Sequence, residues 1–378
     1  KLFDKNYFQI SDQDIEKNRR DINQIFRRSD LSLVVPMKEY DGVIKDLLGY
    51  AVKRISPESL FIINDESSKK AVQTVQQFLH IRIVDKKDIL NIIRWDKLLP
   101  LLNLSRRPIG KGTTVMAGYL LVYLLEKMGG KKVNWIFQTD ADIENYEGFK
   151  AFEYLSWGIA KHPKSLQVKI AKSGRNNEIN MAVRSALAAL GDINKVVPTP
   201  EGQAIAQRSL DLFLNLARYK WILGGTFALP TRVAYTRPFA TGYLDETLTC
   251  AFVEDKAKKD NGYSIQVANP NLCPDSKTSF KKENTMIQMT GNFIISLALL
   301  TKPLTDWTLG DIAWINKNLL ENPKPITLIP PVGNEGPVIS DIIGNERILP
   351  SITMLQENGL INQKKALLLI KKLLHQKN

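Results

Sequence analysis

Short apolar runs separated by amphipathic stretches mark the first third of the chain. The runs are rich in β-branched residues, which is typical of buried strands, and they cover residues 31–36, 60–65, 81–84 and 133–137. Between them, apolar positions recur at helical spacing over residues 40–54, 67–79 and 113–128. Strands that alternate with helices predict an α/β fold with a mainly parallel sheet and helices on both faces.

The pattern is less regular in the remainder of the chain. It predicts strands over residues 168–170 and 264–267, helices over 180–190, 204–223 and 242–255, and mostly helix from 284 onwards. The first 28 residues carry a partial apolar face among many charges and predict a surface helix. We therefore predict an N-terminal helical extension (1–30), an α/β domain (31–300) and a helical C-terminal extension (301–378).

Polar residues follow three of the predicted strands. Lys38 and Glu39 come after the first strand, Asn64 to Ser67 after the second, and Asp140 to Asp142 after the fourth. Ligands of parallel α/β sheets bind at the carboxyl ends of the strands. The sequence therefore predicts a binding site at this edge of the sheet.

Asp140 and Asp142 flank one small residue directly after a buried strand. Carboxylate oxygens are the ligands that Mg²⁺ and Mn²⁺ prefer, and a metal held there can bind a diphosphate. The alternative is a helix N-terminus capped by Asp142.

Gly110, Lys111 and Gly112 precede the third predicted helix. Glycines let the backbone approach a phosphate, and the lysine adds a positive charge at the start of a helix. The spacing is not that of a Walker P-loop. A tight turn before a helix is the alternative.

Two later motifs also have both a ligand-binding interpretation and a purely structural one. Gly224, Gly225 and Thr226 follow a predicted helix, and paired glycines suit the close approach of a ligand. Asp245 and Glu246 begin another helix, where the helix dipole alone accounts for acidic residues. Both stretches are also compatible with ordinary loops.

The order of these motifs resembles that of the retaining GT-A glycosyltransferases that make glucosyl-phosphoglycerate, and of the related mannosylglycerate synthases. The likeness spans residues 31–300 and consists of a strand ending in proline, Asn64-Asp65-Glu66-Ser67, Gly110-Lys111-Gly112, Asp140-Ala141-Asp142, Gly224-Gly225 and Pro238-Phe239-x-x-Gly242-Tyr243-x-x-Glu246. It implies a GT-A (Rossmann-like) fold. It also implies transfer of a hexose from UDP-glucose or GDP-mannose to a small anionic acceptor such as glycerate or phosphoglycerate, with retention at the anomeric carbon.

The same resemblance implies roles for individual residues. The donor-binding residues would be Pro36, Lys38, Glu39, Asp65, Ser67, Lys111, Gly224, Gly225, Thr226 and Tyr243. Lys111, Asp140 and Glu246 would be catalytic, Arg175 and Thr226 would approach the acceptor, and Asp140 and Asp142 would hold Mg²⁺ or Mn²⁺. The family usually has a late metal-binding histidine, and this chain has none at that place. Asp275 is a candidate oxygen ligand there; the alternatives are a weaker metal site or one completed by water.

Composition adds constraints on partners. The formal net charge is +13, which favours anionic partners or reflects a solvated lysine-rich surface. The basic C-terminal helix either touches an anionic membrane or packs on its own protein. We expect no nucleic-acid partner, because the chain has no zinc-finger spacing and no aromatic ribonucleoprotein motif. A homodimer is compatible with the sequence.

The two cysteines, Cys250 and Cys273, indicate neither a disulfide framework nor a zinc site. Together with the lack of a leader or a membrane-spanning run, they lead us to expect a cytoplasmic protein. Three rival functions stay open at this point: a sugar nucleotidyltransferase, a catalytically inactive nucleotide-sugar-binding protein, and a nucleic-acid-binding protein that rests on charge alone.

Overall fold

A computed structural model describes most of the chain. The described residues are 6–28, 30–38, 43–78, 81–141, 146–171, 200–216, 218–219, 224–242, 244–268, 293–294, 297–317 and 346–375. The strands among them are β1 (Tyr7–Gln9), β2 (Leu31–Met37), β3 (Leu60–Asn64), β4 (Arg82–Asp85), β5 (Trp135–Gln138), β6 (Gln167–Ile170), β7 (Phe227–Pro230), β8 (Phe239–Ala240), β9 (Ser264–Ala268) and β10 (Ile348–Leu349).

Helices connect and cover these strands. They are α1 (Asp12–Lys17), α2 (Arg19–Phe26), α3 (Val43–Ala51), α4 (Lys69–Gln76), α5 (Lys86–Leu90), α6 (Trp95–Leu101), α7 (Lys111–Gly129), α8 (Tyr146–Phe149), α9 (Ala151–Lys161), α10 (Pro200–Leu216), α11 (Thr231–Ala234), α12 (Asp245–Asp260), α13 (Leu309–Ile315), α14 (Ile352–Glu357) and α15 (Gln363–His375). Short 3-10 turns lie at Pro57–Ser59 and Leu304–Asp306.

Eight of the strands form one mixed sheet in the order β1-β9-β6-β7-β5-β2-β3-β4. The neighbouring pairs are parallel except for β7, which runs antiparallel to both β5 and β6. Strands β8 and β10 form a separate antiparallel pair. The predicted α/β fold with a mainly parallel sheet is therefore confirmed.

The sheet is covered on both faces because alternate residues of its strands point to opposite sides. Val34 packs in one core cluster with α7, whereas Leu33 and Val35 pack in the other with α3 and α9. Every residue of α7 from Gly112 to Leu125 is buried, since this helix contacts β2, β3, β8, α5 and α15. A helix covered on all sides has no polar face, and the sequence of α7 is accordingly apolar all round.

The N-terminal prediction needs a correction. We predicted a helical extension over residues 1–30, and α1 and α2 are helices, but β1 is a strand parallel to β9 at the edge of the sheet. Its three residues are too few to show a strand period, and the partner strand that fixes it lies far along the chain. The boundaries of the three predicted parts stay predictions, and the helix predicted over residues 180–190 lies outside the described residues.

The C-terminal helix α15 packs on its own protein. Its residues Ala366, Ile370 and Leu373 are buried against α7 and α5. Leu367, Leu368 and Leu374 stay largely exposed beside lysines. Across the described part of the chain, no helix has both the length and the apolar character needed to traverse a bilayer.

Candidate active site

A cavity of about 510 Å³ opens at the carboxyl edge of the sheet. Its walls come from the segments that follow β2, β3, β4 and β5 and from the first turn of α7. The polar residues of the lining are Lys38, Asp65, Glu66, Lys86, Lys87, Arg107, Lys111, Thr114 and Asp140. A cavity therefore exists at the edge of the sheet where the polar strand ends predicted a binding site, and ligand binding there stays a prediction.

Lys111 lines the cavity and pairs with two carboxylates. Its Nζ lies 2.7 Å from Asp140 Oδ1 and 2.6 Å from Glu246 Oε1. Lys111 is the first residue of α7, Asp140 follows β5, and Glu246 lies in the first turn of α12. Three elements that are distant in sequence thus place three predicted catalytic residues together.

The electrostatics of this cluster keep the lysine charged. Burial lowers the pKa of Lys111, but the negative charges of Asp140 and Glu246 outweigh burial, and the pKa lies well above its ordinary value. Burial raises the pKa of Glu246 to about 7, although the charge of Lys111 opposes this shift. The site therefore holds a permanent cation beside an acid that can take up or release a proton near neutral pH.

The paired glycines bring backbone against Asp140. A Cβ atom on Gly225 would overlap the carboxylate of Asp140, so only glycine allows this approach. The carbonyl of Gly224 accepts a hydrogen bond from Nζ of Lys169, a fully buried lysine on β6. The charge of Lys169 also lowers the pKa of Glu246, opposing the effect of burial. Lys169 therefore links the glycine loop to the charged cluster.

Gly112, the second residue of α7, allows the helix to pack closely against neighbouring backbone. The N–H of Gly112 donates to the carbonyl oxygen of Thr241 at 2.9 Å, and a Cβ on Gly112 would overlap the carbonyl oxygen of Ala240. The backbone approach that we expected toward a phosphate is thus made at Gly112 toward the segment that follows β8. Gly110 and Lys111 of this motif line the cavity, and Lys111 brings a positive charge to it.

Asp65 and Ser67 are tied into the wall of the cavity. Asp65 accepts a hydrogen bond from Thr114 Oγ1 at 2.8 Å and pairs with Lys86. Ser67 Oγ donates to the carbonyl oxygen of Met37 at 3.2 Å. These contacts tie the loop after β3 to β2, α5 and α7. Pro36 and Lys38 line the cavity from β2. Contact of these residues with a donor stays a prediction.

Two residues from the later motifs are bound within the protein. The hydroxyl of Thr226 is buried and lies 3.0 Å from that of Thr139. Asp245 forms a buried two-point pair with Arg237, with distances of 2.9 and 3.0 Å. Asp245 therefore has a structural partner beyond the helix dipole that we considered for it.

Five predicted site residues lie outside the described residues: Glu39, Asp142, Arg175, Tyr243 and Asp275. Among the residues that are described, no group of three His, Cys, Asp or Glu side chains is placed to hold a metal ion. Asp140 supplies one carboxylate at the edge of the cavity, and its oxygens have the chemistry that a hard divalent cation needs. A complete ligand set would require the neighbouring Asp142.

Sequence reasoning missed several charged residues of the site. Lys86 and Lys87 follow β4 directly, so their position at a strand end was a usable signal. Arg107 lies on the long irregular stretch before α7, where the sequence has no periodicity. Lys169 interrupts an apolar strand, and a lysine at such a position indicates a buried partner.

Comparison with solved structures finds glucosyl-3-phosphoglycerate synthase from Mycobacterium tuberculosis. Its complex with Mn²⁺ and uridine-diphosphate-glucose is 14% identical over 77% of this chain and 84% of that chain, with a TM-score of 0.48. Its complex with phosphoglyceric acid is 14% identical over 73% and 82%, with a TM-score of 0.45.

A third complex of that enzyme, with Mn²⁺, uridine-diphosphate and glucosyl-3-phosphoglycerate, is 13% identical over 77% and 86%, with a TM-score of 0.48. No family model and no curated protein matches the chain. Because identities and TM-scores are this low, these likenesses assign no activity, ligand or residue role to the chain.

Proposed function

We propose that this protein is a metal-dependent glycosyltransferase of the GT-A type that transfers a hexose from a nucleoside diphosphate sugar to a small anionic acceptor. The observation that carries the proposal is a cavity at the carboxyl edge of the sheet, lined by Lys111 and Asp140, in which Lys111 pairs with both Asp140 and the buried Glu246. A cation held by two carboxylates at such an edge suits a ligand with both a diphosphate and hydroxyl groups.

The proposed role of Lys111 is to stabilise the charge that develops on the leaving diphosphate. Its side chain is one quarter exposed, so its charge reaches the cavity while the two carboxylates hold it in place. A charge that is fixed before reaction stabilises a developing anion without reorganisation. Lys38, Lys86, Lys87 and Arg107 line the same cavity and add to its attraction for a diphosphate.

Glu246 and Asp140 have proposed roles at the sugar. Carboxylates bind sugar hydroxyls as hydrogen-bond acceptors, and Glu246 with a pKa of about 7 can also donate a proton. The resemblance implies retention, so that the acceptor attacks from the face that the diphosphate leaves. Tyr243 and Thr226 are proposed to contribute to the donor pocket, and Arg175 to bind an anionic acceptor such as glycerate or phosphoglycerate.

We propose that Mg²⁺ or Mn²⁺ binds Asp140 and Asp142, with Asp275 in place of the missing histidine. When bound, such a metal supplies neutralisation of diphosphate charge. The ion pair between Asp140 and Lys111 then orients the carboxylate toward the cavity. A homodimer, a cytoplasmic location and contact of α15 with an anionic membrane also stay proposals.

The experiment is a transfer assay with the full chain, UDP-glucose or GDP-mannose, Mn²⁺, and glycerate or 3-phosphoglycerate. We expect release of the nucleoside diphosphate and a glycosylated acceptor detected by mass spectrometry. Asp142→Ala should abolish turnover while the melting temperature stays unchanged. An active Asp142→Ala enzyme would contradict the metal site.

The same preparation separates the rival functions. A sugar nucleotidyltransferase would release pyrophosphate from a sugar 1-phosphate and a nucleoside triphosphate. An inactive binding protein would bind the donor with normal affinity and transfer nothing to any acceptor. Salt-sensitive binding to random duplex DNA is the minimum for a nucleic-acid-binding protein.

A further inference from the structure

A buried carboxylate from the C-terminal part of the chain reaches the wall of the cavity. Glu346 is 4% exposed and lies just before β10. Its Oε2 accepts the N–H of Gly242 at 2.7 Å and the hydroxyl of Thr241 at 3.3 Å. Gly242 lines the cavity, so Glu346 is separated from the cavity by a single backbone unit.

The turn at Thr241 and Gly242 touches the start of α7 on its other side. The carbonyl oxygen of Thr241 accepts the N–H of Gly112 at 2.9 Å. The N–H of Thr241 donates to the carbonyl oxygen of Arg347, and the N–H of Arg347 donates to Thr241 Oγ1, both at 2.9 Å. The turn is therefore held between the C-terminal segment and the helix that carries Lys111.

The turn also leads directly into α12. Glu246 lies in the first turn of that helix, and its carboxylate is 2.6 Å from Lys111 Nζ. A shift of the turn would thus move Lys111 and Glu246 relative to each other. Because hydrogen bonds to charged groups depend steeply on distance and direction, small shifts here matter for binding.

A carboxylate is a costly group for this position. Burial raises the pKa of Glu346 to about 7, against the effect of the hydrogen bond from Gly242. The pairing of β8 with β10 already joins the two segments through their backbones. An apolar side chain would close the core at lower cost, so the acceptor that Glu346 offers to the turn is what distinguishes it.

We propose that Glu346 is a positioning residue of the nucleotide cavity, which holds the Thr241–Gly242 turn and through it the spacing of Lys111 and Glu246. This inference rests on the proposed function for the identity of the ligand. The juxtaposition of the C-terminal segment, the turn and the start of α7 stands independently of it.

The test compares Glu346→Ala and Glu346→Gln with Glu254→Ala as a matched control. Glu254 is also a buried glutamate, and its carboxylate accepts hydrogen bonds of 2.9 Å from Tyr219 and Ser264, outside the cavity. The full chain is titrated with UDP and with GDP in the presence of Mn²⁺. Melting temperatures are measured in parallel.

We expect Glu346→Ala to weaken nucleotide binding roughly tenfold, since it removes an acceptor for the backbone of the turn. Glu346→Gln keeps a carbonyl acceptor and should restore most of the affinity. Glu254→Ala should lower the melting temperature and leave the affinity unchanged. If Glu346→Ala lowered the melting temperature, as expected for Glu254→Ala, but left the nucleotide affinity unchanged, Glu346 would have only a structural role.

Hydrogen exchange gives a second measurement that needs no ligand. In Glu346→Ala, peptides that cover residues 110–114 and 239–242 should exchange faster than in the wild type, and in Glu254→Ala they should not. Unchanged exchange in these peptides would overturn the positioning role. If the wild type bound neither nucleotide, the proposed function would fail, and hydrogen exchange would still decide the role of Glu346.

Discussion

Lys111 is the residue on which the candidate site is built. Its ammonium group pairs with both Asp140, which follows β5, and Glu246, which lies in the first turn of α12. Burial of each carboxylate here would cost free energy without the lysine, and burial of the lysine would cost free energy without the carboxylates. The three residues therefore behave as one unit, in which the charges of Asp140 and Glu246 raise the pKa of Lys111 and the charge of Lys111 lowers that of Glu246.

Replacement of Lys111 by alanine should remove the charge that the leaving diphosphate needs. We expect turnover to fall roughly 100- to 1,000-fold, as for other losses of a fixed stabilising group. The pKa of Glu246 should also rise, because the charge of Lys111 now lowers it. Initial rates with saturating donor measure the effect, and Lys111→Arg, which keeps the charge, is the control. Wild-type rates in Lys111→Ala would contradict this role.

Glu346 should make stability depend on pH. Burial and the nearby Asp245 raise its pKa from 4.5 to about 7 in the folded protein. Its contribution is therefore complete below pH 4.5 and is lost as the pH rises through 7. The stability of the wild type relative to Glu346→Gln should fall by about 3 kcal/mol over this interval.

Urea unfolding of both proteins at pH 5 and pH 8 measures this difference, because shifts from other titrating groups cancel between them. Parallel pH profiles for the two proteins would show that Glu346 does not ionise in this range.

Among single residues, the sequence predicted charged groups at strand ends and at helix starts, although it missed Lys86 and Lys87 after β4. Lys111, Asp140 and Glu246 were predicted, and the structure brings them together. Lys169 lies in a predicted strand, where a lysine indicates a buried partner but does not identify it. Its partner, the carbonyl of Gly224, is a backbone atom that carries no sequence signal.

Among the elements, the loop with Gly224 and Gly225 before β7 packs against the end of β5. Gly225 lies directly against the carboxylate of Asp140, and Lys169 holds the preceding carbonyl. Strand β7 itself was not predicted, since it consists of four residues that follow two glycines and end in proline. Such a run has neither the length nor the alternation that identifies a strand.

Replacement of Gly225 by alanine should separate these elements. The added Cβ would overlap Asp140, and relief of such overpacking costs about 1–3 kcal/mol. We expect loss of donor binding in calorimetry with a modest loss of melting temperature. Gly49→Ala in α3 is the control, because a Cβ there meets nothing within 4 Å and a helix favours alanine. Unchanged donor binding in Gly225→Ala would show that the loop is not part of the site.

At the scale of the molecule, local patterns predicted the parallel strands at one side of the sheet. Strands β2, β3 and β4 alternate with helices and are consecutive neighbours in the sheet, and β5 follows a longer helical connection and pairs with β2. The opposite edge was not predictable in this way, because β1 pairs with β9 across most of the chain. Glu346 likewise meets Gly242 over a separation of 104 residues. Such contacts depend on the tertiary fold of the whole chain and leave no local signal in the sequence.

The exposed face of α15 combines apolar leucines with lysines. Leu367 and Leu368 are 43% and 61% exposed beside Lys364 and Lys371, in a protein with a net charge of +13. We expect cosedimentation with vesicles that contain phosphatidylserine and not with neutral phosphatidylcholine vesicles, since basic and apolar groups together favour an anionic surface.

The double variant Lys364→Glu and Lys371→Glu should reduce this binding. Lys17→Glu with Lys69→Glu, which makes the same change of charge at exposed positions of α1 and α4, should reduce it less. If equal amounts of protein sedimented with anionic and neutral vesicles, the proposed contact with an anionic membrane would be wrong.

Calorimetric titration of the full chain with UDP and with GDP, each with and without Mn²⁺, tests whether the cavity binds a nucleotide sugar. A nucleoside diphosphate that enters the cavity should bind one per chain, require the metal, and bind roughly tenfold or more weakly to Lys111→Ala. We predict this result for one of the two nucleotides, which also identifies the donor. Absence of binding by both, with a folded wild-type protein, would contradict the assignment of the cavity to a nucleotide sugar.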